Sequence, residues 1–171
     1  MGRNDTLCGR HELESGERKR TLSVREWIMD EIVVGMVNGE ESVRWIWPEA
    51  ESFVRRALDH SRGEIGVDDV KERLLDGRML LWGVWHQERK QFLGLLVTEV
   101  IEYPRVKLLR VVTVAGVRLD EWGGLVLETF EKFCRKYDLD GVEAVGRKGL
   151  ARVLKKLGFE ERYTVVYKEV T

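Results

Sequence analysis

Apolar positions along the chain change period twice, and the changes divide it into helical and extended stretches. Behind "SVRE", a serine cap with a glutamate three residues on, Val24, Trp27, Ile28, Ile32 and Val33 trace one helical face. That spacing predicts a first helix from Ser23 that ends at Gly35 or Gly39. Pro48 suits the first turn of a second helix, with Phe53, Val54, Ala57 and Leu58 as its buried stripe. Trp45 and Trp47, in "VRWIWPE", are then expected to pack the connection between the two. After the turn at "SRGEIG", the stretch "VDDVKERLLDG" reads as a third helix that stops at Gly77, with Asp68 and Asp69 near its positive end.

Beyond Gly77 the period becomes that of strands. "MLLWGVWHQ", "FLGLLVTEVIEY" and, after Pro104, "VKLLRVVTVAG" are rich in β-branched and large apolar residues with short connections, which predicts a three-strand antiparallel meander. A long helix follows from about Asp120 to Tyr137, its inner face marked by Trp122, Val126, Phe130, Phe133, Cys134 and Tyr137. "GVEAVG" is then a short strand, "GRKGLARVLKKLGF" a short helix, and "RYTVVYKEV" a last strand that closes the sheet. The order predicts an α+β fold, a mostly antiparallel central sheet flanked by helices.

Composition narrows the function classes. With 171 residues and 43% hydrophobic content the chain can bury one sizeable core. The 29 Lys+Arg nearly balance the 30 Asp+Glu, so no global field draws it to nucleic acid or an anionic membrane. No apolar run approaches the roughly 20 residues that span a bilayer. The two cysteines, Cys8 and Cys134, offer neither metal-ligand spacing nor a disulfide framework, and Cys134 falls on a helical core face. Residues 1–22 carry charges of both signs and few large apolar groups. They are expected to form a flexible polar arm without a signal-peptide core, open to ordering by a protein partner.

From Val54 onward the order of elements resembles the GNAT superfamily of acyl-CoA N-acyltransferases. More narrowly, "LLDGRMLLWGVW", "VIEYPRVKLLRVVTVAG" and "VGRKGLARVLKKLGF" resemble short GNAT-like proteins of tailed bacteriophages. The resemblance implies a single GNAT-like domain over residues 23–171 with an N-terminal helical region to about residue 76. It also implies a phage protein in the host cytoplasm or the virion.

In typical members a loop after the fourth strand, an arginine or glutamine followed by spaced glycines, presents backbone N–H groups to the pyrophosphate of acetyl-CoA at a helix N-terminus. "RLDEWG" occupies that place: Arg118 and Gly123 fit the pattern, and Glu121 replaces the first glycine. The resemblance thus assigns cofactor contacts to Val114, Gly116, Arg118, Gly123, Gly124, Arg147 and Lys148. Glu121 would place a carboxylate where the diphosphate rests, although two acids at a helix start also stabilise that helix without any ligand. Many members carry an asparagine at the start of the last helix and a proton-donating tyrosine near its middle, where this chain has Lys148 and Leu154.

For the amine proton, Glu99, Tyr103 and Glu143 are the candidate acid and base groups, each with an alternative use as a solvated sheet residue. His86, beside a turn, reads as a solvated loop residue. The departures at Glu121 and Leu154 favour a noncatalytic module, a structural or interaction protein with a phage or host partner. The alternative is an acetyl-CoA-dependent N-acetyltransferase that modifies a protein or small-molecule amine. Nucleic-acid binding ranks third, because basic and aromatic residues do not interleave on one surface.

Overall fold

The computed structural model describes residues 31–59, 61, 63–146 and 148–170. The expected polar arm, the serine cap and most of the first predicted helix lie outside these residues. Nine elements follow in order: β1 (Ile32–Val37), α1 (Glu40–Leu58), α2 (Val67–Leu75), β2 (Leu80–His86), β3 (Gln91–Glu102), β4 (Lys107–Gly116), α3 (Leu119–Lys136), β5 (Gly141–Ala144) and α4 (Lys148–Lys156). The strands form one sheet in chain order, antiparallel from β1 to β4 and parallel between β4 and β5. The architecture is α+β, as the periodicity predicts.

Three sequence expectations need correction. Ile32 and Val33 lie in a strand, because "IVVGMV" is β-branched enough to pair with β2 along its whole length, Ile32 opposite His86 through Val37 opposite Leu81. The predicted three-strand meander therefore has four strands. Pro48 sits inside α1, which starts eight residues earlier at Glu40, and both tryptophans lie within that helix. A proline there removes one helical hydrogen bond and costs about 3 kcal/mol. Burial of Val43, Ile46, Trp47, Ala50 and Val54 offsets it, at roughly 1.5–3 kcal/mol for each large side chain. Trp45 is left 81% exposed. Lastly, "RYTVVYKEV" forms no strand: the chain from Phe159 to Val170 is irregular and residues 160–170 are exposed.

The sheet carries a core on each face. Val43, Ile46, Trp47, Ala50 and Val54 of α1 and Val70 and Leu74 of α2 cover Leu81, Leu95 and Val97. On the opposite face Trp122, Val126, Phe130 and Cys134 of α3 cover Trp82, Leu96, Leu109 and Val111. The Trp82 indole donates a buried hydrogen bond to Thr98 Oγ1 at 2.8 Å, which satisfies both polar groups inside this second core.

Two local devices fix the edges that matter for the site. Gly94 and Gly116 face each other across β3 and β4. A Cβ at Gly116 would stand 2.7 Å from the Leu93 carbonyl oxygen and 2.9 Å from Gly94 Cα, so both glycines are needed for the Trp122 ring to lie against them. Asp140 pins the start of β5 to β4: its backbone N–H donates to Lys107 O at 2.8 Å, and its Oδ2 accepts from Lys107 N–H at 2.7 Å.

Candidate functional site

β4 and β5 run side by side only from Leu108 opposite Gly141 to Val111 opposite Ala144. β5 then ends, while β4 continues to Gly116, so its edge from Val112 to Gly116 faces no strand on that side among the described residues. Val112 lies where the two strands part. Thr98 pairs with Val111 and Val97 with Thr113, which makes Val112 an extra residue, a bulge of the sort that re-aims strand side chains beside functional sites.

One register position before the fork, Arg110 stands opposite Glu143 on β5 and Glu99 on β3. Its Nε donates to Glu143 Oε1 at 2.7 Å, its other guanidinium nitrogens reach Tyr103 Oη at 2.9 Å and Glu99 Oε1 at 3.5 Å. Tyr103 completes the ring by donating to Glu143 Oε1 at 3.2 Å. Leu109 and Val111 belong to the α3-side core, so alternation turns Arg110 and its partners to the α1 side of the sheet. Partial burial acts to lower the basicity of Arg110, and its hydrogen bonds to Glu143 and Tyr103 outweigh that, holding the guanidinium above its ordinary value. The three candidate acid and base residues thus meet at one point, around an arginine that the sequence reading did not single out. A signal was present, since an arginine inside the apolar run "LLRVVTV" needs a buried partner.

At the far end of β4 the chain turns through Arg118, in a left-handed conformation at φ 60, into α3. The Trp122 Nε1 donates to Val117 O at 2.8 Å and holds this turn. Among the described residues no side chain caps the helix start. Glu121 reaches back to Arg118 in a two-pronged ion pair, and this contact raises the basicity of the guanidinium. The Glu121 carboxylate is therefore partnered by the same arginine that the resemblance lists among the cofactor contacts.

The remaining cofactor candidates are spread along the fork. Val114 lines an apolar crevice between sheet, α3 and α4, together with Leu119, Trp122 and Leu154. Gly116 is explained by the packing of Trp122. Gly123 is buried, where a Cβ would come within 3.2 Å of Leu157 Cδ1 in the turn after α4, while Gly124 is exposed with open space around it. Lys148 is exposed at the start of α4, and Arg147 lies outside the described residues. Leu154 is a packing residue, and its carbonyl accepts hydrogen bonds from the N–H groups of Leu157 and Phe159. His86 is not the solvated residue its sequence neighbours suggest. It is the last residue of β2, buried, with Nε2 2.9 Å from a Glu31 carboxylate oxygen.

The same fold recurs in solved structures. An aminoglycoside acetyltransferase from an uncultured soil metagenomic sample, in complex with trehalose, superposes with a TM-score of 0.62, 10% identity and coverage of 84% of this chain and 99% of that one. A putative acetyl transferase from Pyrococcus furiosus gives 0.59 at 14% identity, over 82% of this chain and all of that one. Glucosamine-6-phosphate N-acetyltransferase from Arabidopsis thaliana gives 0.55 at 10%, over 82% and 99%. The chain has the fold of the GNAT acetyltransferases. No protein-family model and no curated protein matches it in sequence. Within this GNAT fold the fork between β4 and β5 and the start of α3 lie on either side of the open β4 edge, with the Arg110 cluster at its inner end.

Among the described residues no helix is long and apolar enough to cross a membrane.

Proposed function

We propose that this chain is an acetyl-CoA-dependent N-acetyltransferase acting on an amine of a protein or small molecule. The observation that carries the reading is the juxtaposition at the β4–β5 fork: an open backbone edge, an uncapped helix start at one end and a clustered pair of carboxylates at the other. A fold by itself does not give an activity, so the weight rests on these residues.

The fork suits such a cofactor. The β4 edge from Val112 to Gly116 offers main-chain donors and acceptors to an amide-bearing arm. No side chain among the described residues caps the first N–H groups of α3, of which Glu121 N–H is taken up by Arg118 O at 2.9 Å, and the helix start favours a diphosphate. Gly124 leaves space beside them, and Lys148 adds a cation at the start of α4. Val114, Leu119 and Leu154 supply apolar walls. When bound, acetyl-CoA supplies an acetyl group activated as a thioester.

The chain's own residues then orient the amine and take its proton. Glu99 is the freer carboxylate, 3.5 Å from Arg110 against 2.7 Å for Glu143, and it serves as the base. Glu143 and Tyr103 hold Arg110 in place. The hydroxyl proton of Tyr103 is engaged by Glu143, so its part is to fix the cluster.

Thiol release from acetyl-CoA in the presence of a panel of primary amines, with mass spectrometry for the mass gain of one acetyl group, tests the reading. Transfer to at least one amine is expected, with kcat reduced about a hundredfold in Glu99→Gln and KM for acetyl-CoA unchanged. Cofactor binding without transfer to any amine would instead favour the noncatalytic module, for which the Arg118–Glu121 pair at the helix start is the specific support.

A further inference from the structure

The apolar crevice on the α3 face of the sheet runs along the fork. Val111, the last residue of β4 to pair with β5, and Val114, on the open edge beyond it, both line the crevice. The buried side chains of Leu96 and Phe130 form its inner wall, and Leu150 and Val153 of α4 stand on its outer side. Among the described residues every side chain that lines it is apolar, and the one polar side-chain atom they carry, Trp122 Nε1, is already bonded to Val117 O at 2.8 Å. A charged or hydroxylated group entering this space would lose its water without gaining a partner. Only hydrocarbon suits it.

The crevice is also loosely closed. About 460 Å³ of space, its mouth included, is unfilled by protein atoms. At its present width it has room for about two waters, and apolar walls of this kind leave such a space dry. Trp122, Val126, Phe130 and Cys134 of α3 are buried in the core below, whereas no residue of α4 is fully buried. Leu150, Val153 and Leu154 are half-buried on a helix whose outer face is cationic. Hydrocarbon between the two helices would complete the burial that α4 lacks.

The two faces of the fork therefore differ. Arg110 and Glu99 lie on the α1 side, and the crevice lies on the α3 side. A thioester lodged between β4 and β5 would meet the base from one face and direct its acyl tail into the other.

We propose that the crevice receives the aliphatic tail of the acyl donor, so that the chain takes straight-chain acyl-CoA thioesters longer than acetyl in preference to acetyl-CoA, a donor class that rests on the acyltransferase reading of the fork. Leu150 and Val153 then set the length of acyl group that fits.

Titration calorimetry of the full chain with acetyl-, butyryl- and hexanoyl-CoA tests this. Each buried methylene is expected to tighten binding by up to about fourfold, so hexanoyl-CoA should bind at least about tenfold more tightly than acetyl-CoA. Leu150→Phe and Val153→Phe, made separately and shown to be folded by circular dichroism, fill the crevice and should bring that ratio to about threefold or less. If acetyl-CoA binds and the affinity is flat or falls along the series, the proposal is overturned and the acetyl-transfer reading stands. A hexanoyl preference that both substitutions leave intact would also overturn it, because the tail would then lie elsewhere. Failure of all three thioesters to bind would remove the reading and the proposal together.

Discussion

Arg110 and Glu143 face each other across the last-but-one pair of the short parallel ladder, Nε to Oε1 at 2.7 Å, immediately before β4 and β5 separate. The bridge links the two walls of the fork at its base. It also keeps two carboxylates, Glu99 and Glu143, on the same guanidinium.

Removing that guanidinium leaves the two acids side by side and partly buried. Arg110→Met is expected to lower unfolding free energy by about 1–3 kcal/mol. The loss should shrink in the triple variant Arg110→Met, Glu99→Gln, Glu143→Gln. Urea titrations of the three proteins measure it, and an Arg110→Met chain as stable as the parent would show that the cluster does not hold the fork.

Glu121 occupies Arg118 at the start of α3. Glu121→Gly removes a carboxylate from the positive end of the helix dipole and frees the arginine, so acetyl-CoA should bind about 3–10-fold more tightly, while the helix loses up to about 1 kcal/mol. Titration calorimetry on both proteins decides it. An unchanged or weakened affinity would mean that the phosphates do not approach this turn.

Gly116 is a packing glycine in this account. Gly116→Ala would drive a Cβ onto the Leu93 carbonyl and Gly94 Cα, backbone atoms with little room to give. It is expected to cost about 1–3 kcal/mol. Thermal unfolding followed by circular dichroism reads this directly, and a neutral substitution would refute the proposed seating of Trp122.

Cys134 is buried in the α3-side core, and burial lifts its thiol above the ordinary value of 9.0, with Glu131 adding to the shift. The folded state therefore holds this proton more tightly than the unfolded one. Its contribution is fully present below 9.0 and is lost as pH rises through the folded value. The stability difference between the parent and Cys134→Ala should accordingly narrow in alkaline solution. Iodoacetamide should leave Cys134 unmodified at about pH 8 until urea unfolds the chain. Rapid alkylation of the native protein would contradict the burial.

Much of this fold can be read from periodicity because β2, β3, β4 and α3 are long, apolar and bounded by turns. The failures have identifiable physical causes. Ile32 and Val33 match a helical face as well as a strand, and only pairing with β2 separates the two. Pro48 is tolerated inside α1 because the tertiary burial of Trp47 and its neighbours outweighs one lost hydrogen bond. The segment after Phe159 has the pattern of a strand but no pairing among the described residues. For the site, residue types suggested Glu99, Tyr103 and Glu143 one at a time. Their convergence depends on the register of three strands and on Arg110, and register is set by pairing across the sheet.

Calorimetric titration of acetyl-CoA into the full chain bears most directly on the fork as a cofactor site. One molecule per chain with a micromolar dissociation constant is expected, weakened about tenfold by Gly124→Asp, which sets a carboxylate beside the α3 start. No binding heat at about millimolar ligand, or an affinity indifferent to Gly124→Asp, would contradict it.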